Sequence, residues 1–151
     1  MGHALEEAYR VLTADGVLVD LRPEFPAHER NRRRARQQIL CVGESEEIPT
    51  GTLMRNLSGF RFTDRLLADM IRRGVFTLET RKTFWFRYYH RDLASFDLFR
   101  GVRWDNAIMT STDRRLLERS VWMHPDMDIR VDTPMQLNVF KKGKGSKIYG
   151  S

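Results

Sequence analysis

Residues 4–23 read Ala4-Leu5-Glu6-Glu7-Ala8-Tyr9-Arg10-Val11-Leu12-Thr13-Ala14-Asp15-Gly16-Val17-Leu18-Val19-Asp20-Leu21-Arg22-Pro23. Leu5, Ala8, Tyr9 and Leu12 recur at helical spacing, with Glu6, Glu7 and Arg10 on the other side, so 4–12 read as a helix. Gly16 follows an acid and suits a left-handed cap or turn position. Val17, Leu18, Val19 and Leu21 then make a short apolar strand that stops at Pro23. A strand this apolar expects cover on both faces. Asp20 sits at its end, and strand ends line the ligand crevice of α/β sheets, which makes Asp20 the best-placed single carboxylate.

Working outward, 28–36 hold Arg30, Arg32, Arg33, Arg34 and Arg36. Such a run can form a phosphate-binding surface. The plainer reading is a solvated face, because no aromatic ring interleaves with it. Ile39, Leu40 and Val42 mark a strand over 37–42, followed by Glu44, Glu46 and Glu47, with Pro49, Gly51, Ser58 and Gly59 as loop markers. Leu66, Leu67, Met70 and Ile71 give a helix over 63–73, capped by Thr63 and closed by Gly74. Residues 75–90 carry the strongest strand signal: Phe84, Phe86 and Tyr88 on one face, Trp85, Arg87 and Tyr89 on the other. The expectation is a buried central strand with Phe84 and Phe86 in the core. The alternative is a cleft wall for a flat ligand, with Trp85, Tyr89 and His90 as contacts.

Helices follow over 93–100, capped by Asp92 and ended by Gly101, and over 113–123, capped by Ser111 or Thr112. The last strand, 128–140, alternates cleanly. Ile129, Val131, Thr133, Met135, Leu137 and Val139 share an inward face, and Arg130, Asp132, Pro134, Gln136 and Asn138 a wet one. One wet face points to an antiparallel sheet, and Pro134 to an edge or bulge. The basic stretch 141–151 reads as a mobile tail after one domain over 1–140. The fold class is therefore α+β, derived from α/β: about four strands in a mixed, largely antiparallel sheet, packed with about four helices.

Composition narrows the function. The chain has 151 residues, 41% of them hydrophobic and 11% aromatic, which excludes disorder. One cysteine, Cys41, excludes an internal disulfide framework and a multi-cysteine zinc site, and fits a reducing compartment. No apolar stretch approaches the ~18 residues of a membrane span, and the acidic N-terminal stretch is unlike a signal peptide, so a cytoplasmic protein without membrane contact is expected. A net charge of +6 favours polyanionic partners. Neither a Gly-rich dinucleotide turn nor a Walker loop is present. His3, His28, His90 and His124 are widely spaced, so no metal is expected. Cys41, in an apolar strand, reads as an inert buried thiol, and Ser95 and Ser120 lie inside helices. No catalytic residue emerges.

The helix–turn–strand segment 4–23 resembles the late part of class I S-adenosylmethionine-dependent methyltransferases. There, an Arg-Val-Leu helix end, a turn and an apolar strand form the fourth helix and fifth strand. Ala14-Asp15-Gly16 replaces that family's usual Pro-Gly-Gly-like turn. The resemblance implies that 63–73 and 75–90 are the next helix and the sixth strand, and that 128–140 is the seventh, returning antiparallel beside the fifth. It also implies that the cofactor half is missing, since no Asp-x-Gly-x-Gly-like element exists here. No family catalytic or cofactor residue transfers to this chain, which is expected to bind no S-adenosylmethionine alone.

The expected function is thus a methyltransferase-like C-terminal domain without independent catalysis, contributing sheet and substrate-side surface. The alternative is a small basic nucleic-acid-binding module, supported by the charge and the aromatic strand. A strand at 17–21 without its neighbour from the missing half would leave an open edge, so a homodimer, or pairing with an N-terminal half, is expected.

Overall fold

The computed structural model describes residues 2–24, 34–56, 58–103 and 107–144. Its elements run α1 (Gly2–Val11), β1 (Val17–Pro23), β2 (Arg34–Val42), β3 (Glu47–Asn56), α2 (Ser58–Arg72), β4 (Phe76–His90), α3 (Leu93–Arg103), α4 (Ser111–Met123) and β5 (Asp128–Lys142). Five strands and four helices make the α+β class that the sequence predicts, and the ladders of β1, β2 and β3 are antiparallel. The described residues fall into two compact units.

The first unit comprises Met1–Glu24, Ser58–Phe84 and Met135–Ser151. Its central ladder pairs all of β1 with the second half of β5, from Val17↔Lys141 to Pro23↔Met135. Leu67, Met70, Val75, Phe76 and Phe140 are buried there, with Leu5, Tyr9, Leu12 and Leu18 packed against them. Each such side chain contributes about 1.5–3 kcal/mol when fully buried. The stripes read from the sequence at 4–12 and 63–73 supply these residues, which is why α1 and α2 form where they do. Helix α2 starts at Ser58 rather than at Thr63, which lies within it. Gly74 ends the helix at φ 72°, a backbone region that costs other residues strain. Gly16 is not in that region. Space favours glycine there instead, because a Cβ would lie 3.0 Å from the Thr13 carbonyl oxygen, a backbone atom that cannot turn aside.

The second unit comprises Phe25–Leu57 and Trp85–Pro134. The hairpin of β2 and β3 carries an irregularity between Ile39 and Leu40, and β2 also pairs with the first half of β5, from Gln38↔Asp132 to Val42↔Asp128. Ile39, Cys41, Leu53, Phe96, Ala107, Leu117, Ile129 and Val131 form the core. The Asp113 amide donates to Thr110 Oγ1 at 3.0 Å, so Thr110 caps α4 rather than Ser111 or Thr112. The Ser95 amide donates to Asp92 Oδ1 at 2.7 Å, the expected cap of α3. Helix α3 runs past Gly101 to Arg103. Strand β3 is additional to the expected four, and Pro49 and Gly51 lie inside it. Pro134 sits where β5 passes from one ladder to the other, so its missing N–H costs no bond to β1 or β2.

Three expectations about faces are corrected. Strand β1 is covered on one face only: Leu18 and Arg22 turn inward, whereas Val17, Val19 and Leu21 are 46%, 56% and 54% exposed. Phe84 and Phe86 are not core, being 42% and 44% exposed. The two ends of β4, Phe76 and His90, are buried while residues 81–87 lie in neither core. On β5 the face expected to be wet is buried at Arg130, Asp132, Gln136 and Asn138, because these groups satisfy one another or charged neighbours. Lys141 and Lys142 extend β5 rather than begin a tail, and 145–151 lie outside the described residues. No helix among the described residues is long and apolar enough to cross a membrane.

Candidate functional site

Asp20 lies within β1, opposite Asn138 of β5. Asn138 Nδ2 donates to Asp20 Oδ2 at 2.8 Å, and Arg22 Nε lies 3.1 Å from the same oxygen. Asn138 Oδ1 accepts from Gln136 Nε2 at 2.8 Å and from Arg81 Nε at 3.0 Å. Arg22 Nη1 approaches Asp64 Oδ1 at 2.8 Å, without the alignment of a hydrogen bond. Two aspartates balance two arginines, and Asn138 is fully buried between them. Asp20 is thereby held as an acceptor. The network fixes strand register and offers no unengaged base.

A second network is equally closed. Arg130, 4% exposed, donates to Asp132 at 2.8 and 3.0 Å and to Glu47 at 2.6 and 3.0 Å. The Arg130 guanidinium holds the Glu47 carboxyl below its ordinary range. Arg114 of α4 grips both oxygens of Asp97 at 2.6 and 2.8 Å, and Glu118 at 2.7 Å. These contacts raise its pKa further and close one side of a cleft of about 400 Å³ bounded by Asp97, Arg100, Met109, Thr110, Ser111 and Arg114. No spacing in the sequence signals the Arg114–Asp97 pair, since the partners come from different helices.

The other sequence candidates separate. Arg30, Arg32 and Arg33 lie outside the described residues, while Arg34 and Arg36 fall on the backbone of β2. His90 is a core residue. It is 8% exposed, its ring lies 5.6 Å from Phe96 and 5.0 Å from Phe99, and burial pushes its pKa down. Cys41 is fully buried, and burial raises its pKa. Among the described residues no cluster of three or more His, Cys, Asp or Glu is placed to hold a metal.

Trp85 and Tyr89 remain open, at 56% and 54% exposure. Strand alternation puts both on the face of β4 that carries Arg87, whose side chain is half exposed, and exposed Arg91 follows the strand. Among the described residues, Trp85, Tyr89 and Arg91 are open on or beside this face, and Arg87 lies 3.9 Å from Asp132 Oδ1. The chain matches no protein family, no curated protein and no solved structure with which it was compared.

Strand β4 leads into α3 through Arg91 and Asp92 with no glycine between them, so that junction lacks a glycine-rich turn for S-adenosylmethionine. Asp20, which the sequence reading set at a strand end, lies in the middle of β1 and is already bonded to Asn138.

Proposed function

We propose that this chain is a methyltransferase-like C-terminal domain that contributes sheet and substrate-side surface and has no catalysis of its own. The observation that carries this reading is the antiparallel ladder between β1 and β5. It pairs all seven residues of β1, the placement implied for the fifth and seventh strands by the resemblance at residues 4–23. The order α1, β1, α2, β4, β5 supports it, with β2–β3 and α3–α4 as insertions.

The reading includes self-association. Strand β1 has a ladder with β5 alone among the described strands, and Val17, Val19 and Leu21 are bare. A symmetric dimer through this edge, or a separate cofactor-binding half, would cover both. Calorimetric titration with S-adenosylmethionine is expected to give no binding by the chain alone. A dissociation constant tighter than ~100 μM, about −5.5 kcal/mol, overturns the reading. Sedimentation at micromolar concentration is expected to give a mass above the 17.8 kDa of one chain, and monomer at all concentrations removes the dimer.

A further inference from the structure

We propose that the exposed face of β4 binds single-stranded nucleic acid, with Trp85 and Tyr89 as stacking platforms and Arg87 and Arg91 as phosphate contacts. The inference goes beyond the methyltransferase-like reading and stands whether or not that reading does.

The face alternates ring and guanidinium: Trp85, Arg87, Tyr89, then Arg91 just past the strand. Same-face residues of a strand are ~6.6 Å apart, so Trp85 and Tyr89 are separated by ~13 Å. That is about four stacked-nucleotide rises of ~3.4 Å. A base on each ring leaves the intervening phosphates beside Arg87. On the opposite face Tyr88 packs on Phe99 at 5.0 Å and His90 is buried, while Phe84 and Phe86 are 42% and 44% exposed and no arginine lies among them. Rings alternating with a guanidinium are therefore offered on the Trp85 side.

Charge selects a polyanion. Residues 80–91 contain Arg81, Lys82, Arg87 and Arg91 and no acid. The carboxylate near Arg87 is Asp132 at 3.9 Å, and Asp132 is already bonded to Arg130 at 2.8 and 3.0 Å. Arg87 thus has charge to spare for a phosphate. Duplex is disfavoured because its bases are stacked inside and unavailable to the rings. A lipid surface is disfavoured because Arg87 sits between the rings and Arg91 beside Tyr89, which keeps charge within this face. A second copy on this face would oppose arginines to arginines.

The test is fluorescence anisotropy of the full chain with labelled 20-mers of thymidine and of uridine, with a duplex 20-mer and phosphatidylserine vesicles in parallel. Both single strands, or one of them, are expected to bind at ~50 mM salt and to weaken steeply as salt rises. Trp85→Ala is expected to lose about 5- to 150-fold in affinity, the range of one stacked base, and Trp85→Phe to recover most of it. Arg87→Gln with Arg91→Gln is expected to flatten the log–log salt slope by about 1.4, two single-strand phosphates. These side chains are exposed, so melting temperatures are expected to match wild type. Should Trp85→Ala fail to fold, Tyr89→Ala and the arginine pair decide. The proposal is overturned if neither single strand binds at ~50 mM salt, if ring and arginine variants bind as wild type, if duplex is preferred, or if only vesicles bind. S-adenosylmethionine titration is a separate readout, so failure of one proposal leaves the other standing.

Discussion

Removing the Asn138 side chain should be among the most damaging single changes in the first unit. Asn138→Ala deletes three hydrogen bonds, to Asp20, Gln136 and Arg81, at a position with no solvent exposure. A hydrogen bond to a charged group is worth about 1.5–3 kcal/mol, and one between neutral groups about 1. Arg81 is exposed and water replaces its lost acceptor, so its share is small. Asp20 keeps Arg22 at 3.1 Å but loses its amide donor, and buried Gln136 loses its acceptor. The expected loss is about 3–4 kcal/mol, a fall in melting temperature of about 6–16 °C for a chain this size. Urea unfolding followed by circular dichroism measures it. Asn138→Asp sharpens the test, since it sets a carboxylate against Asp20. The pair raises one folded carboxyl pKa above its unfolded ~3.9. The deficit is therefore full above that raised value and shrinks as pH falls through it. A loss below ~1 kcal/mol for Asn138→Ala, or an Asn138→Asp deficit that does not shrink in acid, refutes the reasoning.

Phe76→Ala should cost about 3–5 kcal/mol, whereas Phe84→Ala, at 42% exposure, should cost below ~1.5 kcal/mol; paired urea titrations check the contrast. Cys41 should resist a thiol reagent at mildly alkaline pH while folded and react fully on denaturation, because burial both blocks the thiol and raises its pKa; rapid native labelling would contradict this. The Glu47 carboxyl is depressed by Arg130, so its contribution is complete above the unfolded ~4.3 and lost as pH falls through the lower folded value. Denaturation midpoints across acid pH should show less of this decline in Glu47→Gln, and identical profiles would refute it.

The helices were legible because their apolar stripes name a face directly: Leu67 and Met70 of α2 and Leu117 of α4 are buried as the spacing indicates. The chain neighbours of Pro49 and Gly51 concealed β3, since local turn chemistry outweighed the inward-facing Thr50 and Leu53. Alternation along β5 named Ile129, Val131 and Thr133 correctly as buried, but Met135, Leu137 and Val139 are only partly buried, Phe140 on the other face is core, and the polar residues were given to water. The partners of its polar groups, Glu47 for Arg130 and Asp20 for Asn138, come from 83 and 118 residues away and leave no local signal. The ring-rich run of β4 failed for the opposite reason. Hydrophobicity predicts what gains from burial, not whether an element arrives to bury it, and α3 reaches Tyr88 and His90 but not Trp85.

Strand β5 also sets a clock. Asp20 and Asn138 meet across 118 residues of chain, so β1 emerges during synthesis long before the strand it pairs with. At about 5–20 residues per second, the wait is about 6–24 s. Throughout that interval Val17, Val19 and Leu21 lie on a strand unpaired on either edge, and β2 lacks its β5 partner too. An association-prone strand is therefore made 118 residues ahead of the strand that quiets it.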